Sequence, residues 1–204
     1  MRTLLNALRP LAAVVVGAAI FVQIDAEILK RAFQPWHFFS FFTIESNLFG
    51  ATILLVAWRY ERRSETPPWY ALARGAITSF LTVTGVVYWT VLANGPQILI
   101  PWVNIVLHAI FPIVVVVDWI VAPSPLDTSL WKNLRWWLAF PLIYCAYSLI
   151  RGSLVAWYPY GFLDPRIFGY PTVLFFCVAI ALGFAAIDAG IHAIARRRYA
   201  GITS

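Results

Sequence analysis

The sequence predicts an all-α fold, a polytopic membrane bundle of six transmembrane helices with the N- and C-termini on the cytoplasmic side. Three observations carry this. The 204 residues are 61% hydrophobic and only 12% charged, whereas soluble domains are about half apolar and about a quarter charged. The apolar residues come in blocks of about 20, the length at which a helix crosses the hydrocarbon core of a bilayer. The basic residues sit in short clusters between those blocks, as topology signals do. A chain this poor in polar residues cannot coat a water-soluble globule, and one buried core would not need several such blocks.

The first span is expected over about 4–24. Arg2 and Arg9 give it the flank of a signal peptide, but five more spans follow and no cleavage is expected. The second is expected over 40–57, the third over 71–93, the fourth over 102–121, the fifth over 134–157 and the sixth over 171–195. Together they form a single domain over 1–204. Pro10, Pro101 and Pro171 fall at or near helix starts, where a missing amide proton costs little. Pro112 and Pro141 fall inside spans and should kink them or mark irregular ends. Trp36, Trp58, Trp69, Trp102, Trp119, Trp131, Trp136, Trp137 and Trp157 all lie near predicted span ends, the interfacial depth that tryptophan favours.

Charge sets the orientation. Arg2, Arg9, Arg59, Arg62, Arg63, Arg74, Lys132, Arg135 and Arg196 to Arg198 fall on one side, against Lys30, Arg31, Arg151 and Arg166 on the other. The positive-inside rule therefore places both ends in the cytoplasm. The net charge of +6 raises the question of nucleic acid, but no basic helix face or base-stacking module is visible. Anionic lipid headgroups are the simpler partner for Arg196, Arg197 and Arg198. Cys145 and Cys177 lie in apolar blocks without CxxC spacing and read as small buried hydrophobes.

Ionisable and amide groups inside spans are costly, so each is a functional candidate. In the second span Thr43, Ser46, Asn47 and Gly50 share one helical face, and Glu45 points away from it. In the fourth, Asn104 and His108 are four apart and share a face. In the fifth, Tyr144, Tyr147 and Arg151 form a stripe. The second and fourth spans both enter from the external side, which puts Thr43 and His108 near one depth. Plainer roles compete. Thr43 would bond the carbonyl one turn back, His108 would make a structural hydrogen bond, and Asn47 and Asn104 would bond across helices. Glu45 and Arg151 would form an ion pair. Asp118, Asp188 and His192 would meet nearby arginines or water, and His37 would be solvated or interfacial.

The chemistry that fits is nucleophilic. A hydroxyl needs a base to become a nucleophile, and a neutral imidazole can take its proton and return it to the leaving oxygen. Thr43 and His108 suit those roles. A tetrahedral oxyanion needs donors, for which Asn47, Asn104 and Arg151 are candidates. Glu45 and Tyr147 join them as candidate substrate-binding groups. No GxSxG elbow, no HExxH or clustered Cys/His metal site and no Walker A or dinucleotide loop is present. No metal and no cofactor is expected.

Three stretches carry a resemblance over nearly the whole chain: Phe42-Thr43-Ile44, Asn104-x-x-x-His108 followed by Pro112 and Asp118, and Trp157-Tyr158-Pro159-Tyr160-Gly161-Phe162-Leu163-Asp164. With these the chain resembles a bacterial relative of the androgen-induced membrane proteins, the family of the androgen-dependent TFPI-regulating protein-like lipid hydrolases. The resemblance implies a six-span threonine hydrolase acting on fatty acid esters of hydroxy fatty acids. Its nucleophile would be Thr43 and its essential histidine His108. Glu45, Ser46 and Asn47 depart from the family pattern, and Arg151 stands where that pattern has a histidine. The expected setting is a bacterial cytoplasmic membrane. The site would face the external leaflet, a membrane lipid or fatty-acid ester would be the substrate, and the external segment 158–170 would act as a lid. The rival readings are a non-catalytic lipid-binding or transport protein and a structural or regulatory membrane subunit.

Overall fold

The computed structural model describes residues 2–60, 66–95, 100–127 and 129–199. Arg62 and Arg63, which contribute to the charge asymmetry, lie outside the described residues. All regular structure among the described residues is helical. α1 spans Arg2–Leu29, and the four-residue α2 spans Pro35–Phe38. α3 spans Phe42–Tyr60. α4 spans Pro68–Val87 and runs into a π-helical turn at Tyr88–Leu92. α5 at Pro101–Ile105, a second π turn at Val106–Ile110 and α6 at Phe111–Val121 follow one another without a break. α7 covers Leu130–Val155, a 3-10 turn covers Gly161–Leu163, and α8 covers Pro165–Tyr199.

Local chemistry sets these boundaries. Pro35, Pro68 and Pro101 each open a helix, since proline gives up no needed hydrogen bond there. α7 ends where Ala156 turns left-handed (φ 54°), a common helix stop. Gly169, at φ 74°, kinks α8 just before Pro171, so the sixth expected segment is a long bent helix. Pro10 lies inside α1, which starts earlier and ends later than expected.

Among the described residues five helices are long and apolar enough to cross a membrane, not six: Leu4–Leu29, Trp69–Leu92, Pro101–Val121, Leu130–Val155 and Pro165–Tyr199. The helix that falls short is α3. Its first half spends Thr43, Glu45, Ser46 and Asn47 on polar groups, and Arg59 closes it. α3 packs one face against α1 and α4 and leaves Leu48, Phe49 and Leu55 exposed on the other. Outward residues of α7 and α8, such as Ile143, Ile150, Leu174 and Leu182, are apolar and exposed. That surface suits a hydrocarbon surround.

One core joins α1, α3, α4 and the α5–α6 rod through Val16, Leu54, Leu81, Leu107, Phe111 and Val115. A second, Phe42, Phe80, Tyr144 and Phe184, joins α3 and α4 to α7 and α8. Trp119 and Trp137 depart from the interfacial expectation. Both are 1% exposed, because each indole N–H finds a carbonyl inside the bundle, on Ile191 and Leu72 respectively. Satisfying that donor removes the penalty of burying the ring. At the same end, Asp118 is held by Arg9 at 2.8 Å and Arg74 at 2.5 Å, all three buried. Asp118 therefore meets arginines as expected. Asp188 does not: both of its carboxyl oxygens are buried without a hydrogen-bond partner, and His192 is bonded by Asn133 at 3.1 Å.

Candidate active site

Helix α3 presents its polar face inward. Thr43, Ser46, Asn47 and Gly50 are all buried, and Glu45, off that face, is only half-buried. Two tyrosines bind the free amides at its start, where backbone N–H groups lack helical partners. Phe42 donates its N–H to the Tyr144 hydroxyl (3.2 Å), which in turn donates to the Ser40 carbonyl (2.8 Å). Thr43 donates its N–H to the Tyr160 hydroxyl at 3.3 Å. Thr43 is thus held at the first turn of the helix with its side chain free of the local carbonyls.

The Thr43 hydroxyl lies 3.1 Å from Nε2 of His108. The other ring nitrogen, Nδ1, lies 3.1 Å from the Asn104 carbonyl. A carbonyl only accepts, so Nδ1 carries the proton and donates. In the neutral ring Nε2 is then the acceptor, turned to the Thr43 hydroxyl. His108 sits in the second π turn, and π turns concentrate at functional sites. Its backbone carbonyl accepts the indole N–H of Trp89, which belongs to the first π turn (3.1 Å). Tyr88 of that turn stacks on the imidazole at 4.0 Å between centroids, and its hydroxyl accepts the Asn104 amide. Gly85 eases the close approach: a Cβ there would meet the His108 carbonyl oxygen at 3.0 Å, a tight contact.

Two apolar cavities are lined by Thr43, and the larger of them by His108 as well. The larger, about 580 Å³, is lined by Thr43, His108, Asn104, Tyr88, Phe41 and Phe176, with Glu27 as its carboxylate. The smaller, about 140 Å³, runs between α4, α7 and α8 past Phe42, Val83, Tyr144, Cys145, Cys177 and Phe184. Thr43, Leu92, Tyr160 and Phe162 line both. Among the described residues no group of three His, Cys, Asp or Glu side chains is disposed to hold a metal.

The expected site is therefore only partly assembled. Thr43, His108 and Asn104 come together. Asn47 is committed behind them: its amide donates to the carbonyls of Thr43 (2.8 Å) and Leu107 (3.2 Å), tying α3 to the second π turn. Glu45, Tyr147 and Arg151 line neither cavity. Glu45 keeps one buried carboxyl oxygen without a partner. Tyr147 is 46% exposed, with its hydroxyl 3.4 Å from that of Ser40. Arg151 lies over the ring of Trp157 at 5.1 Å rather than against Glu45. His37 also stacks on Trp157, parallel at 3.9 Å. Burial, and then the Arg151 charge, lowers the proton affinity of His37.

Tyr88, Trp89 and Tyr160 are the site residues absent from the sequence-based expectation. Tyr160 was within reach of it, since the stretch from Trp157 to Asp164 carries part of the resemblance. Comparison of the chain with protein-family models, curated proteins and solved structures yields no match in any of the three.

Proposed function

We propose that the protein is an intramembrane hydrolase of lipid esters, with Thr43 as nucleophile and His108 as base and then acid. The observation that carries this reading is the 3.1 Å contact between the Thr43 hydroxyl and Nε2 of His108, with Thr43 on the wall of two apolar cavities. Two arms leading from one nucleophile suit an ester with a chain on each side of the scissile bond. Fatty acid esters of hydroxy fatty acids have that form, and the resemblance of three short stretches favours the same class.

In the first step the Thr43 oxygen bonds to the ester carbonyl carbon and its proton passes to Nε2 of His108. The carbonyl electron pair moves onto oxygen. Collapse of this intermediate breaks the bond to the leaving alkoxide, which takes the proton from His108 and departs as the alcohol. A water then attacks the acyl-Thr43, giving its proton to His108. Collapse releases the carboxylic acid and returns the proton to Thr43. The Asn104 carbonyl holds the imidazole in the required tautomer throughout.

This reading takes α3 as a sixth crossing. Its 19 residues reach roughly 28 Å at helical rise, close to the thickness of the hydrocarbon core, and Thr43, Ser46 and Asn47 are turned inward. Six crossings with the basic clusters inside put both termini in the cytoplasm of a bacterial cell. The Thr43 end of the bundle then lies in the external leaflet, where a lipid reaches it sideways. The segment from Tyr158 to Tyr170 covers the cavities.

The test is ester turnover by the purified protein in detergent, with branched and linear lipid esters of several chain lengths. Wild type, Thr43→Ala and His108→Ala are compared after matched folding checks. Loss of turnover in both folded variants supports the hydrolase. Turnover that survives both substitutions contradicts the site. No turnover by any form, with a lipid retained intact, favours the lipid-binding or transport reading.

A further inference from the structure

We propose that Tyr160 is a catalytic residue of this site, donating its phenolic hydrogen to the ester carbonyl oxygen as that oxygen becomes negative. The inference rests on the hydrolase reading and names the oxyanion donor that the reading needs.

Each of the groups expected in this role has a partner elsewhere. Asn47 spends its N–H groups on the Thr43 and Leu107 carbonyls. The Asn104 amide meets the Tyr88 hydroxyl, and Arg151 is away at Trp157. Tyr160 is differently placed. Its oxygen accepts the Thr43 N–H at 3.3 Å, which leaves its hydrogen to donate. The nearest acceptor in the structure is the Thr43 hydroxyl oxygen, at a long 3.4 Å. When that oxygen bonds to carbon it becomes an ether-type oxygen, a weaker acceptor than the negative charge that forms beside it. The oxyanion stands on the same carbon, one bond away, and both cavities that would hold the substrate are lined by Tyr160. The hydrogen bond then passes from the nucleophile to the new negative charge, and no proton is transferred.

The ring is held ready for this. It lies parallel to Phe162 (centroids 5.3 Å apart, 3° between planes) and meets Phe41 edge to face at 5.7 Å. A donor fixed before the reaction stabilises charge without reorganising when the charge forms. Desolvation raises the phenol's pKa above its ordinary value of 10, so the group stays a donor across the working range. Tyr160 lies in the loop between α7 and α8, which gives the covering segment a chemical role.

The decisive experiment separates binding from charge stabilisation. An α,α-difluoroketone with an alkyl arm on each side of its carbonyl would add Thr43 to that carbonyl and present an oxyanion. The matching ether, with no carbonyl, would measure cavity fit alone. Both are titrated by calorimetry against wild type and Tyr160→Phe, and ester kinetics are run in parallel. The expected result is that Tyr160→Phe binds the ether as wild type does but loses roughly 100- to 1,000-fold in ketone affinity and in kcat, the scale of one oxyanion donor, with KM nearly unchanged. Equal ketone affinity and kcat in the two proteins would overturn the proposal while leaving the hydrolase standing. A wild type that prefers the ketone no more than the ether, and turns over no ester, would overturn the hydrolase reading itself and this proposal with it. Should Tyr160→Phe not fold, site-specific replacement of Tyr160 by a ring-fluorinated tyrosine keeps the hydroxyl and strengthens it as a donor. Ketone affinity should then rise, and unchanged affinity counts against the proposal.

Discussion

Trp89 donates its indole N–H to the backbone carbonyl of His108 across 3.1 Å, so one π turn holds the other. The two residues lie on different long helices, and the bond fixes the helix segment that carries the imidazole. Trp89→Phe keeps the ring bulk and removes the donor. It should cost about 1 kcal/mol of stability and lower kcat a few-fold with little change in KM. Thermal unfolding in detergent and steady-state kinetics check both.

Asp118 neutralises two buried arginines at the end of the bundle away from Thr43, with side-chain exposures of 2–5% across the three groups. Removing it strands two guanidinium groups out of water. Asp118→Ala should destabilise the fold by roughly 3–5 kcal/mol, read as a lowered midpoint of unfolding. The protein that stays folded should keep its kcat, since none of the three residues lines either cavity.

Cys145 on α7 and Cys177 on α8 stand with their sulfurs 3.4 Å apart on the wall of the smaller cavity. Oxidation with copper-phenanthroline and oxygen should join them in one disulfide with loss of two hydrogens, seen in the intact mass. Cys145→Ser should abolish that change. The joined protein should also lose turnover of esters with bulky acyl arms, because the cavity wall can no longer yield.

Asp164 caps α8. Its side chain accepts the Arg166 N–H at 2.9 Å and the Arg166 guanidinium at 2.6 Å. The hydrogen bond from Arg166 holds the Asp164 carboxyl below its ordinary value of 3.8. A depressed folded-state pKa contributes stability that is whole above the unfolded value and lost as pH falls through the folded one. The loop bearing Tyr160 should therefore loosen only below about pH 4, and Asp164→Asn should loosen it at neutral pH. The emission of Trp157, read with the other tryptophans replaced as folding allows, reports the change.

Much of this arrangement was legible in the residues. Thr43, Ser46, Asn47 and Gly50 repeat at helical spacing, and that face is buried. Asn104 and His108 are one turn apart, and the histidine does bond back to that turn. What escaped depends on contacts between distant segments. A π turn has no composition of its own, so the register shift at Tyr88 and Val106 could not be read from spacing. Interfacial depth explains many tryptophans, but Trp119 and Trp137 each found a buried carbonyl. Asn47 had two readings, a donor for substrate and a bond across helices, and it makes the second, to the Leu107 carbonyl. Tyr160 lies in a loop, where no periodicity points a side chain, and only the fold of that loop over α3 brings it to Thr43.

The central claim is that the Thr43 oxygen is the nucleophile, and the acyl-enzyme tests it most directly. Purified wild type would be mixed with excess lipid ester, quenched in acid within one turnover, digested and analysed by mass spectrometry. The account predicts the acyl group on the peptide containing Thr43, localised to that residue and absent from Thr43→Ala and His108→Ala. Steady turnover with no acyl group on Thr43, or with the group on another side chain, would contradict it.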